Sequence, residues 1–452
     1  MRLLFPDTRL MFENDFQSVA YVPFFLDDSG QYLDGPSQYL RERALLEWLP
    51  EDALPVLASS SLGGSLSYPT IASLRTMGEK LKNFLEWCAS KKIDWRSAEY
   101  TAHVISGYQA QMTTGEWSQT GRPLDGKTIN QRASEATLFL AWTSQAGVRN
   151  PSAPPFAVPR RRKKASKKEG GSGRGKVAEI DSRAGSVSMD PPLFWLPTQQ
   201  EVGCWLRNVY SVKGKVKGLC CELILETGIR NRECVEWRAD LLPIDRKDWI
   251  VRGDKVHVLI RAGTKGKRAQ PSDIDGPARW VKLPISFAER LHSYRLEERP
   301  SQHARWVRAA KTPDEKSRRR RMGLPPQLFL GEGSNRPFGT RMLHRAWTET
   351  PGCPKGWRPH LGRHFCAGQK LIDITLEKIK AAGVDLGKLN ADWLTGSANN
   401  DITLVIRPML GHISDETTNG YLGWLRSWFE AQTGQGPLRW HDYLEKGCSG
   451  DA

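Results

Sequence analysis

A mainly helical α+β protein with a small antiparallel β-sheet is the fold class this sequence predicts. Apolar residues recur every three or four positions over long stretches, as one buried face of a helix requires. Apolar alternation, the mark of a half-buried strand, is confined to two short runs at 256–260 and 279–284. A length of 452 residues favours two or three domains, and composition changes abruptly near residue 153.

Residues 1–66 form an N-terminal extension of unclear role. Its aromatic run at 21–26 suits a strand or a segment packed on a later domain. From Thr70 the pattern turns helical, with Ile71, Leu74, Met77, Leu81, Phe84, Leu85 and Cys88 on one face. Residues 96–114 are compatible with another helix. A further one is expected from Thr128, with Thr128 and Gln131 as a capping box and Ile129, Ala133, Ala136 and Leu140 inward. It closes before Gly147, and Asn150-Pro151 ends the segment. Residues 67–152 therefore read as a small helical domain.

Residues 153–192 read as a basic linker. Arg160, Arg161, Arg162, Lys163, Lys164, Lys167 and Lys168 stand together with Glu169 as the nearby acid, a composition that buries no core. Such a run either tracks a DNA backbone by releasing counterions or is a solvated spacer, and the charge of the chain favours DNA. The second large domain spans 193–430. Thr198 and Glu201 cap its first helix, and a second, over 216–226, ends at Gly228. The two strand-like runs flank a polar turn holding Lys265 and Lys267. Helical segments dominate beyond them. Arg318 to Arg321 are expected in an inserted loop, solvated or touching phosphate. Trp424, Leu425, Trp428 and Phe429 make an apolar helical face that packs on its own domain or, the reading favoured here, docks on a neighbouring protomer. Residues 431–452 form a C-terminal tail.

A formal charge of +16 points to a polyanionic partner, most simply nucleic acid. The eight cysteines include no CxxC pair, which argues against a zinc ribbon or a redox motif and for reduced thiols. No metal or cofactor is implied. Pro6, Asp7 and Arg9 interrupt the N-terminus, and no run approaches the roughly 20 apolar residues of a spanning helix. A soluble, cytoplasmic protein is expected, associated with the nucleoid if its source is bacterial.

Three short motifs carry chemistry when taken in order. They are Thr227-Gly228-Ile229-Arg230, then His360-Leu361-Gly362-Arg363-His364, then Leu410-Gly411-His412 with Tyr421 nine residues on. Guanidinium forks match phosphate oxygens and stay charged at any working pH. Histidines move protons near neutrality. A tyrosine can hold a phosphoryl group as an ester, provided something accepts its proton, since its ordinary pKa is about 10. Each motif alone is weak, because TGxR arises by chance and a lone HxxR is usually a surface helix face. The ordered set is specific.

With these motifs, residues 67–430 resemble the tyrosine recombinases, the phage-integrase family of DNA strand-exchange enzymes. The resemblance implies a helical core-binding domain and a catalytic domain forming a C-shaped clamp on duplex DNA. It gives Arg230 and Arg363 the phosphate-binding roles, with Glu233 supporting Arg230. His360 becomes the acid/base histidine, His412 a donor to the phosphate, and Tyr421 the nucleophile. The family's lysine, which protonates the leaving 5′ hydroxyl from a β-hairpin turn, would be Lys265, with Lys267 as alternative. The activity implied is that of a site-specific recombinase or integrase of a mobile element. It would work through a 3′-phosphotyrosyl intermediate and a Holliday junction, as a tetramer on two DNA sites, with accessory DNA-bending proteins as candidate partners. A type IB topoisomerase shares the chemistry, but those enzymes usually place a Ser-Lys motif before the tyrosine, where this chain has Asn419-Gly420. A non-catalytic DNA-binding regulator on the same scaffold is the third alternative.

Overall fold

Helices make up most of the described residues, with two small antiparallel sheets beside them. The computed structural model describes residues 1–49, 68–150, 185–188, 196–266, 268, 270–331, 333–383, 398–410 and 415–433. The chain divides into two units. One comprises Met1–Pro192 with Lys265–Gly276, the other Leu193–Thr264 with Pro277–Ala452. The linker cations from Arg160 to Lys168 lie outside the described residues, as do Lys267 and His412.

In the first unit, β1 (Arg2–Leu4) pairs antiparallel with β2 (Phe24–Leu26), and α1 (Thr8–Glu13) lies between them in sequence. Then come α2 (Asp34–Leu45), α3 (Ile71–Ser90), a π-helical stretch over Tyr100–Gln109 and α4 (Gly126–Gln145). The Thr70 side chain caps α3 by accepting from the Ser73 N–H at 3.1 Å. At α4 the structure departs from the expected capping box. The Asp125 carboxylate accepts from both the backbone N–H and the hydroxyl of Thr128, so the helix begins two residues earlier. An ionised carboxylate is a strong N-cap, and it pulls the start towards itself.

Of the residues expected inward on α3 and α4, Leu74, Leu81, Phe84, Leu85, Cys88, Ile129, Ala133, Ala136 and Leu140 are buried in one core with Phe25, Tyr39 and Leu40, while Ile71 and Met77 are half-buried. The first 49 residues thus share one core with the helices after Thr70. That core contains a buried ionisable group. Tyr39 donates its hydroxyl to Glu135 at 2.7 Å, and burial holds the Glu135 pKa above its ordinary value. Residues 265–276 join this unit through the bridge between Tyr68 and Arg268.

In the second unit, α5 (Gln199–Asn208) starts with the expected Thr198/Glu201 capping box, and α6 (Lys215–Thr227) leads to the short α7 (Asn231–Val235). A three-stranded antiparallel sheet comes next, ordered β3 (Ile250–Arg252), β4 (Lys255–Ile260), β5 (Arg279–Pro284). Val256, Val258 and Ile260 of β4 and Val281 and Leu283 of β5 point into the core, as the alternation predicts. The third strand gave no sequence signal, because β3 is three residues long and exposed throughout.

Helices α8 (Ile285–Ser293), α9 (Arg299–Arg308), α10 (Pro313–Met322), α11 (Thr340–Thr348), α12 (Pro359–Ala381) and α13 (Asp415–Thr433) complete the unit. The four arginines expected in a loop lie on α10 instead. Thr312 caps it, Asp314 and Glu315 occupy its first turn and three of the arginines its last, so both ends suit the helix dipole. It buries no residue and therefore shows no apolar period. Trp205, Trp347 and Trp357 interlock at the centre of the unit. A second cluster joins Leu371, Ile402, Ile406 and Leu410 to Tyr421, Leu425 and Phe429. The apolar face beyond Tyr421 is therefore applied to its own unit, at Leu425 and Phe429, rather than kept for a neighbour. Among the described residues no helix is long and apolar enough to cross a membrane.

The buried Tyr39–Glu135 pair gives a stability test for the first unit. Tyr39→Phe should destabilise it by about 1–3 kcal/mol, because the buried carboxyl loses its donor while the ring packing survives. Urea denaturation monitored by tryptophan fluorescence measures this, and an unchanged midpoint would contradict it.

Candidate active site

The first arginine is placed by a helix stop. α6 ends at Gly228, whose φ of +64° is left-handed and whose N–H returns to the Ile224 carbonyl at 2.8 Å. A side chain there would be strained, and its Cβ would come within 2.9 Å of Leu410 Cδ2. Two residues on, Arg230 is extended and precedes α7, so its guanidinium leaves the helix axis. Glu233 reaches back and accepts from the Arg230 N–H at 2.6 Å and from its Nη1 at 3.3 Å. The Arg230 side chain keeps 24% of its exposure, whereas Glu233 keeps none.

That buried carboxylate has a second partner. Arg279, first residue of β5, grips it with Nε at 3.0 Å and Nη2 at 2.6 Å, and donates from Nη1 to the Met409 carbonyl at 2.8 Å. Burial alone would raise the Glu233 pKa. The hydrogen bonds and charges of Arg279 and Arg230 outweigh it, so the pKa lies below the ordinary value and the group stays ionised.

The HLGRH motif occupies the first turns of α12. Gly362 lets this helix lie against Trp347, since a Cβ there would collide with the indole ring. Arg363 is buried. Its Nη1 donates to the Gly228 carbonyl at 2.5 Å and its Nη2 to the Leu410 carbonyl, which joins the three motifs in one place. Burial and the nearby Arg230 charge push its pKa down to about 10, which leaves it a cation at neutral pH. Each Nη carries a second N–H, so donor capacity remains.

Tyr421 lies on α13 with no exposed surface. Its hydroxyl is 2.7 Å from His364 Nδ1, and His364 Nε2 is 3.2 Å from His360 Nε2. The two rings stand edge to face with centroids 4.6 Å apart, one helical turn from each other. Burial, with the charges of His360 and Arg363, lowers the His364 pKa to about 4, so this imidazole is neutral at physiological pH. Burial also raises the Tyr421 pKa, against the pull of Arg363, and the phenol keeps its proton.

Of the residues singled out by sequence, Arg230, Glu233, His360, Arg363 and Tyr421 fall together in the second unit. Lys265 is exposed and opens the segment that belongs to the first unit, so it is not among them. Two residues here had no role in the sequence reading. Arg279 gave no signal, because its acidic partner is 46 positions away. His364 could have been found, since His360 and His364 are four apart on one helix face. No group of His, Cys, Asp or Glu suited to hold a metal occurs among the described residues.

No family model and no curated protein matches the chain. Among solved structures it is similar to the XerH site-specific recombinase bound to palindromic difH substrate, at 13% identity and a TM-score of 0.46, covering 96% of this chain and 97% of that one. It is similar to the Tn1549 transposon integrase in complex with circular intermediate DNA, at 12% identity and a TM-score of 0.39, covering 87% and 98%. A third is the XerA recombinase, at 13% identity and a TM-score of 0.31, covering 86% and 100%.

Two of these contacts have measurable consequences. Arg279→Ala should cost about 3–5 kcal/mol, because a buried carboxylate, Glu233, then loses the closer of its two guanidinium partners. A urea midpoint within error of the parent would show that Arg279 is dispensable. His364 supplies a pH dependence. Unfolded, it takes up its proton near 6.5, whereas in the folded unit it does so near about 4. Between those values the unfolded state binds more protons, so stability falls as pH falls from 6.5 towards 4. Urea midpoints across that range should slope less in His364→Phe than in the parent chain.

Proposed function

We propose that this chain is a tyrosine-type site-specific DNA recombinase, an integrase that serves the integration or excision of a mobile element. Tyr421 attacks the scissile phosphate, forming a 3′-phosphotyrosyl ester and releasing a 5′ hydroxyl. Arg230 and Arg363 offset the charge that builds on the non-bridging oxygens, which positioned cations do most effectively in a water-poor site. His360 handles the nucleophile's proton, His412 donates to the phosphate, and Lys265 or Lys267 protonates the leaving oxygen. The freed hydroxyl of a partner strand reverses the reaction, and a second exchange resolves a Holliday junction. Four copies acting on two duplexes are part of this reading. So are DNA contacts from the 160–168 cations and help from accessory DNA-bending proteins.

One observation supports it above the rest. The Tyr421 hydroxyl meets the HLGRH helix, whose Arg363 feels the charges of Arg230, Glu233 and Arg279 together. A tyrosine beside clustered, always-charged guanidinium groups is what a phosphotyrosyl exchange without metal needs.

The complete burial of Tyr421 favours a rival, in which the scaffold binds DNA without cutting it. Covalent capture separates the two. Duplexes selected from a random-sequence pool by binding to the protein would be rebuilt with a nick that traps the cleaved strand. The parent chain should give an SDS-resistant protein–DNA adduct and Tyr421→Phe none. Arg230→Ala should slow its formation by about 10²–10³-fold. Tight binding by both proteins with no adduct from either would sink the recombinase reading and favour the rival.

A further inference from the structure

We infer that His364 is a catalytic residue of the cleavage step, accepting the proton of Tyr421 and handing it on to His360. This rests on the recombinase reading and adds to it a residue that the family's motifs leave without a role.

The geometry forms a path from inside to outside. The Tyr421 hydroxyl is buried, His364 is half-buried and His360 is exposed. The proton donor and first acceptor are 2.7 Å apart, and the two imidazoles are 3.2 Å apart, Nε2 to Nε2. Both lie within the reach over which general acid–base transfer operates. His360 is not the group hydrogen-bonded to the hydroxyl in this chain; His364 is, through Nδ1, and His360 comes second.

The hydrogen-bond pattern accommodates the tautomers such a path needs. A hydroxyl donating to His364 Nδ1 requires the His364 proton on Nε2. That N–H then donates to His360 Nε2, whose own proton is on Nδ1. Arg363 lies next to His364 in sequence, and with His360 it helps keep His364 uncharged, so the lone pair on Nδ1 is available. The Tyr421 ring packs against apolar groups of α12 and α13, and Arg363 and Cys366 act on its hydroxyl electrostatically.

Atoms and electrons balance in the resulting step. The electron pair of the Tyr421 O–H bond becomes the new O–P bond, and the proton moves to His364 Nδ1. The Nε2 proton of His364 moves to His360 Nε2, leaving His360 an imidazolium and His364 neutral in its other tautomer. The P–O5′ bond breaks with its electron pair on the 5′ oxygen, which takes a proton from the general acid of the proposed reaction. Religation runs the same path backwards and returns the phenol proton to Tyr421.

The test uses the full chain and the nicked duplex of the covalent-capture experiment, with adduct formation timed at saturating protein. His364→Ala should be slower by about 10²-fold or more, the usual weight of a general base, with unchanged affinity for DNA. Added imidazole should restore part of that rate in His364→Ala and none in Tyr421→Phe. Replacing the bridging 5′ oxygen by sulfur, a leaving group that needs no proton, should leave the defect in place. His364→Asn offers a hydrogen-bond acceptor near the Nδ1 position but passes no proton on. It should be equally slow, and it serves where the alanine variant melts early. The inference is overturned if His364→Asn cleaves as fast as the parent. It is overturned also if either variant cleaves faster, which makes the contact a restraint on the tyrosine, or if the sulfur substrate restores the rate. An adduct from the parent chain with unchanged variants refutes the relay alone. No adduct from the parent refutes the recombinase reading and the relay with it.

Discussion

One buried guanidinium holds the second unit's chemistry in place. Arg363 donates to the carbonyl of Gly228 and to that of Leu410, the chain segments that open the first and last motifs. Taking a cation out of water costs several kcal/mol unless its donors are satisfied, and here backbone oxygens share that task. Gly228 can present its carbonyl because it adopts, without strain, the left-handed turn at the end of α6. The arginine thus does two things at once. It supplies positive potential to Tyr421, and it ties together segments 135 and 47 residues distant in the chain.

A second layer repeats this logic. Glu233 has no exposed side-chain surface, yet it stays ionised because Arg230 and Arg279 both donate to it. Arg230 is therefore aimed by a carboxylate that is itself fixed by β5. Met409, bonded through its carbonyl to the same Arg279, brings the segment before His412 into this arrangement. Charge held in this way is in place before any ligand arrives. The electrostatics of the site are largely set by the fold.

Much of this was readable in the sequence wherever local rules decide the outcome. The apolar period of α3, the Thr198/Glu201 cap and the β4 and β5 alternation all specify their own conformation within a few residues. So does the stop at Gly228. Where tertiary context decides, the sequence said less. β3 is too short and exposed to alternate, and α10 has no apolar period because it buries nothing. The favoured outward role of the face beyond Tyr421 could not be judged without knowing that α12 and the 402–410 segment would cover it. In the site, residues in contiguous motifs were legible. Arg279 was not, because an ion pair between a strand and a distant helix leaves no spacing to read. His364 stood in plain view, but only the contact from α13 gives it a task.

The route of the chain bears on how the protein comes apart. It enters the first unit, passes into the second, returns for residues 265–276 and goes back to the second. One cut in the 153–192 region therefore does not yield two self-contained pieces. A fragment beginning at Leu193 would still carry Arg268, which is buried in the full chain, along with a stretch whose companions, Tyr68 among them, have been removed. Conversely, a fragment ending before Leu193 would lack part of its own surface. Lys265 heads that returning stretch, so the residue expected to serve the leaving group stands at the chain's crossing from one unit to the other.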